Sequence, residues 1–211
     1  SNQRAINANK QGWFRDEIIP VEIKTRKGPA IFDTDEHPRA DTSMESLSKL
    51  KPVFKKDGTV TAGNASGLND AGSSMLMMAA ETAKKMGIKP IARVVASAPG
   101  SVEPRMMGMG VVPAVRNALK FADMKLEDID YFEFNEAFAA QYLGCERELG
   151  LNRDIVNVNG SGVGLGHPVG STGCRIMITL LHALKKRGKG LGMATLCGGG
   201  GVSMAVVLEM I

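Results

Sequence analysis

The sequence predicts a layered α/β domain with a mixed central sheet covered by helices. Two observations carry that reading. Short apolar runs alternate with helical stretches along the second half of the chain. The last two runs, 191–196 and 202–210, are separated only by Cys197 and four glycines, so they form an antiparallel hairpin and the sheet cannot be all parallel.

The elements follow in order. Residues 1–12 are a helix, with Ala5, Ala8 and Asn9 at helical spacing and Gly12 to end it. Residues 17–24 are a strand, and Pro20 puts it at an edge. Residues 25–65 are polar and rich in turn signals, which predicts an irregular excursion over the surface. Residues 69–86 read as a helix capped by Asp70, with Ala71, Met75, Met78, Ala79 and Thr82 on one face. A strand over 91–96, a helix over 113–122, a strand over 130–134 and a helix over 137–149 come next. A strand over 155–158 and a long helix over 170–187, stopped by Gly188, precede the final hairpin.

Composition narrows the function. The 211 residues carry 26 Lys and Arg against 22 Asp and Glu, a net charge of +4. No basic block is interleaved with aromatics, so a nucleic-acid groove is not expected. Three cysteines with no CxxC spacing argue against a disulfide framework and a zinc site. Reduced thiols point to the cytoplasm. No apolar run reaches the roughly 18 residues of a membrane helix, and none resembles a signal peptide. The start at Ser1 reads as processed, cloned or truncated.

Chemistry gathers in glycine-rich loops. His167 lies in Gly166-His167-Pro168, before the long helix, where Pro168 holds it extended at a strand-to-helix corner. Cys197 ends an apolar strand and opens Gly198-Gly199-Gly200-Gly201. A buried cysteine acting as a small hydrophobe does not explain four residues without side chains. A thiol and an imidazole with backbone N–H groups nearby suit proton exchange with a substrate and stabilisation of an oxyanion. Asn135 is either a helix cap or an amide aimed into the site. The stretch Thr61–Gly67 is either a turn or a surface for a polar ligand tail. Cys145 and Cys174 read as inert, His182 as packing and His37 as surface.

Five motifs in one order resemble the thiolase family, and within it the acetyl-CoA C-acetyltransferases. They are Gly63-Asn64-Ala65-Ser66-Gly67-Leu68-Asn69-Asp70, Asn135-Glu136-Ala137-Phe138-Ala139, Asn157-Val158-Asn159-Gly160, Gly166-His167-Pro168 and Cys197-Gly198-Gly199-Gly200. The resemblance implies a C-terminal portion lacking the first half. Residues 1–67 are then the second part of a loop domain, 68–97 the returning helix and strand of the N-terminal domain, and 98–211 the C-terminal domain. It implies condensation of two acetyl-CoA to acetoacetyl-CoA, or the reverse thiolysis, with no permanently bound cofactor and no metal. His167 is similar to the histidine that activates the nucleophile, and Cys197 to the cysteine that exchanges the α-proton. Asn135 resembles the asparagine of the oxyanion hole, and Gly199 the glycine whose N–H serves it. Ser66, Ala65, Arg39 and Phe138 are the expected coenzyme A contacts.

The nucleophilic cysteine is expected from the missing portion, so this chain alone is expected to be inactive. Expected partners are that portion and further copies in a dimer or tetramer. The alternatives are a thiolase-like CoA-binding or assembly module without turnover, and a free-standing Cys/His hydrolase. Gly160-Ser161-Gly162-Val163-Gly164 departs from the family's glycine-alanine run.

Overall fold

A computed structural model describes all 211 residues. The chain opens with helix α1 (Asn2–Lys10), which buries Ala5 and Ala8 and hands over to Gly12 at φ +69°. A turn carrying Trp13 and Glu17 leads to a hairpin, β1 (Val21–Thr25) and β2 (Gly28–Phe32), in which Val21 faces Phe32. The strand expected over 17–24 thus starts after Pro20, and its partner lies inside the stretch expected to be irregular. That same stretch holds the short helix α2 (Met44–Ser48), started by a Ser43–Ser46 capping box.

Next come helix α3 (Ala80–Lys85), strand β3 (Ala92–Ser101), a 3-10 segment over Pro104–Gly110 and helix α4 (Val111–Ala122). Strand β4 (Tyr131–Phe134), helix α5 (Ala139–Leu149), short helix α6 (Gly162–Leu165) and helix α7 (Thr172–Arg187) follow. Strands β5 (Leu191–Cys197) and β6 (Val202–Met210) close the chain. Left-handed Gly150 ends α5, and left-handed Gly188 ends α7 as expected.

The main sheet has the order β3-β6-β5-β4. Strand β4 runs parallel to β5, while β6 is antiparallel to both β5 and β3. Period-two alternation splits the apolar side chains between two faces. Phe132, Phe134, Met193, Ala205 and Val207 pack with Val111, Val115 and Ala118 of α4. Ala194 and Leu208 pack with Ile176, Leu180 and Leu184 of α7 on the other. The result is a helix–sheet–helix sandwich with a mixed sheet, as the sequence predicts.

Two expected elements are corrected. Residues 69–86 hold a helix only over Ala80–Lys85, and Asp70 does not cap it. The preceding residues are tied elsewhere: Leu68 bridges His167, and Ser73 Oγ contacts the Ser171 hydroxyl. Gly72, Ser73 and Ser74 are poor helix formers, so these long-range bonds prevail over the Ala and Met around them. Residues 155–158 form no strand. Only Val156 bridges Phe132, and Asn157 then turns left-handed at φ +50°. Its buried amide takes over the ladder, accepting from Phe134 N–H at 2.7 Å and donating to Phe134 C=O at 2.9 Å.

The amino-terminal segment is pinned to the far end of α7. Trp13 stacks on the Arg187 guanidinium, 4.1 Å from its ring centre, and Lys186 Nζ donates to the Trp13 carbonyl at 2.6 Å. Arg187 also donates to Asn159 Oδ1 at 3.0 Å.

Candidate active site

The site forms where parallel strands β4 and β5 both end. Asn135 follows β4, is fully buried, and donates its backbone N–H to Thr195 O at 2.9 Å. Thr195 lies two residues before Cys197 on β5. Asn135 does not cap a helix, because α5 begins only at Ala139 with Phe138 before it. Its Nδ2 instead lies 3.4 Å from Nε2 and 3.5 Å from Nδ1 of His167. Its Oδ1 is buried without a protein partner.

Three further side chains fix His167. Nδ1 lies 2.7 Å from Thr172 Oγ1, on the first residue of α7. The Thr172 hydroxyl donates to Pro168 O at 3.0 Å, so its oxygen accepts from Nδ1–H, and Nε2 keeps its lone pair, facing Asn135 Nδ2. The His167 backbone N–H donates to Asn69 Oδ1 at 3.1 Å, and Asn69 Nδ2 reaches His37 Nδ1 at 3.3 Å. His37, expected at the surface, is half-buried and also bonds Val163 O through Nε2 at 3.3 Å. The sequence reading missed Thr172 and His37 as partners of this site. Asn69 lies in the Gly63–Asp70 motif, and the signal for Thr172 is a hydroxyl five residues past a turn histidine.

Glycine is required at two points. A Cβ on Gly162 would lie 2.7 Å from Glu136 O and 2.8 Å from Asn135 Oδ1, displacing the amide that meets the imidazole. Gly166 has φ +91°, which turns the chain into His167. The loop over 157–163 is held by Glu136, which accepts from Asn157 Nδ2 at 3.2 Å and from Val163 N–H at 3.2 Å.

Burial, with the Arg175 charge second, holds the His167 pKa below the ordinary imidazole value. Burial also pushes the Cys197 thiol up. At neutral pH the site therefore offers a neutral base and a protonated thiol. Cys197 is 7% exposed, makes no direct hydrogen bond to His167, and opens onto the turn that contains exposed Gly199.

The expected ligand-arm residues cluster beside this site. Ala65 bridges Phe138, Ser66 N–H donates to Ala137 O at 3.0 Å, and Ala139 N–H donates to Asn64 O at 2.8 Å. Phe54 meets Phe138 edge-on at 5.7 Å. Arg39 stands apart: it is exposed, and its backbone N–H bonds Asn2 Oδ1. No group of three or more His, Cys, Asp or Glu side chains is arranged to hold a metal ion.

This three-layer sandwich brings Asn135 and His167 together at the end of the parallel strands, the end where β5 finishes in Cys197 and a glycine turn. Its sequence matches the C-terminal domain of the thiolases over residues 88–210 and their N-terminal domain over residues 1–81. The chain belongs to the thiolase family. The acetyl-CoA acetyltransferase of Chromobacterium violaceum is 52% identical over 210 residues, 99% of this chain and 54% of that protein. The Escherichia coli acetyl-CoA acetyltransferase is 48% identical over 211 residues, covering 100% and 54%. Among solved structures, the Bacillus anthracis acetyl-CoA acetyltransferase superposes with a TM-score of 0.96 at 53% identity, covering 100% of this chain and 54% of that one. Human mitochondrial 3-ketoacyl-CoA thiolase in complex with CoA superposes at 0.91 with 43% identity, covering 100% and 52%.

The chain thus spans about half the length of the relatives it matches. The match of residues 1–81 to the N-terminal domain corrects the expectation of a chain lacking its first half, since part of that domain is present. Nor do these matches support a missing portion as the source of the nucleophile, and Cys145 stands among the three cysteines present.

Proposed function

We infer that this chain takes part in acyl transfer on coenzyme A thioesters, condensing two acetyl-CoA to acetoacetyl-CoA or cleaving the product in reverse. The observation that carries this is the Asn135–His167 contact at the shared end of β4 and β5, the end where Cys197 sits. Abstracting a proton next to a thioester needs a base of tuned pKa and donors for the enolate. His167 Nε2 supplies a lone pair, Asn135 Nδ2 supplies an N–H donor, and Cys197 supplies a transferable proton. Gly199 is the backbone donor in this reading, and Ser66, Ala65 and Phe138 meet the pantetheine arm. Arg39 is kept as a peripheral contact to the nucleotide end, on the strength of its charge alone.

The acyl acceptor is a separate part of the proposal. Cys145 is fully buried, donates to Gly108 O at 3.3 Å, and its thiol is pushed up to about 12 by burial. That placement suits a packed thiol rather than an acyl acceptor. Residues 1–67 as the second part of a loop domain, 68–97 as the returning helix and strand of the N-terminal domain and 98–211 as the C-terminal domain complete the proposal. A cytoplasmic dimer or tetramer is its expected setting.

Titration of the chain with CoA tests the binding. Saturable heat is expected, weakened by Phe138→Ala and by Ser66→Trp; no binding at millimolar CoA overturns the reading. Acetoacetyl-CoA thiolysis tests the acceptor: no turnover is expected from the chain alone, and robust turnover would place the acceptor within it.

A further inference from the structure

Behind the imidazole lies a buried cluster of two carboxyls and a guanidinium that the proposed chemistry does not use. Glu133 sits in the middle of β4, between Phe132 and Phe134, with its side chain 1% exposed. Its Oε2 lies 3.5 Å from Nη1 of Arg175, whose side chain is 20% exposed. The other amino group of Arg175 is buried without a partner, as is Oε1 of Glu17. Glu17 Oε2 accepts from Thr179 Oγ1 at 2.8 Å. Burial pushes both carboxyls upward, Glu17 to about 7 and Glu133 to about 8, the mark of a cluster that is costly to desolvate, and an apolar group of similar size often serves stability as well. Stability therefore does not explain the cluster.

Its placement does. Arg175 is three residues beyond Thr172 on α7, one helical turn away. Glu133 is two residues before Asn135, on the same strand face. Thr172 and Asn135 are the side chains that meet the His167 ring. The ion pair thus joins the two elements that grip the imidazole, directly behind the grip.

We propose that Arg175, anchored on Glu133, is a positioning residue for His167: it locks the first turn of α7 to the end of β4 and sets a fixed positive charge near the ring. This rests on the reading of His167 as the base of the site. The charged and titratable groups on the surrounding elements are Cys174 with Arg175 on α7, Glu133 and Glu136 at the β4 end, Asp70 beside Asn69, His37 with Asp35 in the preceding loop, and Cys197 on β5. Arg175 is the cation among them, and it opposes formation of a second cation on the imidazole.

The test is an NMR titration of the three histidines in this chain, with His37→Gln and His182→Gln used to assign the signals. Arg175→Gln is expected to raise the His167 pKa by about half a unit or more. Arg175→Lys keeps the charge and is expected to keep the pKa low. Glu133→Gln, which preserves volume, is expected to leave the value where it is or lower it. Equal titration of wild type and Arg175→Gln overturns the proposal. If Arg175→Gln does not fold, a rise in either Arg175→Lys or Glu133→Gln overturns it as well. CoA plays no part in this readout, so its failure leaves the CoA reading standing, and loss of CoA binding leaves the titration unaffected.

Discussion

At the scale of single residues, Asn157 shows how one side chain replaces an element. Its amide satisfies both the N–H and the C=O of Phe134, and its backbone takes a left-handed turn that few residues other than glycine accept. Asn157→Ala would leave the buried Phe134 N–H unpaired and add backbone strain, while Phe134 C=O keeps its bond from Ser161 Oγ at 3.0 Å. Chemical denaturation is expected to show a loss of about 2–4 kcal/mol. Asn157→Gly removes the same bonds without the strain, so it should cost about 1 kcal/mol less. Equal losses in the two variants would mean that the turn carries no strain. His167 follows the same logic in miniature. Its lone pair is aimed by Thr172 and its main chain by Asn69, neither of which reacts.

At the scale of elements, α7 does double duty. Its first turn holds the imidazole through Thr172, and its apolar stripe fills one face of the sheet through Ile176, Leu180 and Leu184. Leu184 is fully buried near the end opposite His167. Leu184→Ala is expected to cost about 2–5 kcal/mol in denaturation while leaving the His167 NMR titration unchanged. A shifted titration would show that packing along the whole helix sets the ring. The helices α7 and α4 are legible because their apolar periodicity is long, and α7 and the β5–β6 hairpin because glycines mark where they stop or turn; α4 ends instead on left-handed Asp123. Residues 69–79 and 155–158 are not legible, because their local preferences yield to bonds made with residues far away in sequence. The candidate site divides along the same line. His167, Cys197 and Asn135 stand out by their glycine settings, whereas the roles of Thr172, Asn69 and His37 exist only once the loops meet.

At the scale of the molecule, the buried acids set how stability responds to pH. Burial raises the Glu17 carboxyl from its usual 4.5 to about 7, against the opposing hydrogen bond from Thr179. The folded state therefore holds a proton that the unfolded chain releases earlier. The contribution is fully present below about pH 4.5 and is lost as pH rises through 7. Burial pushes Glu133 upward as well, with Arg175 pulling against it. Glu17→Gln is expected to flatten the fall in stability between these pH values and to leave the variant more stable than wild type in mildly alkaline buffer. Thermal melts across that range check it; parallel curves for the two proteins would exclude Glu17 as the cause.

The single tryptophan of the chain, Trp13, lies flat on Arg187 at the carboxyl end of the helix whose opposite end carries the imidazole clamp. Its emission is consequently a built-in optical gauge. A lift of the amino-terminal segment away from that helix will hydrate the indole and redden its light, with no label added and no other indole to confuse the signal.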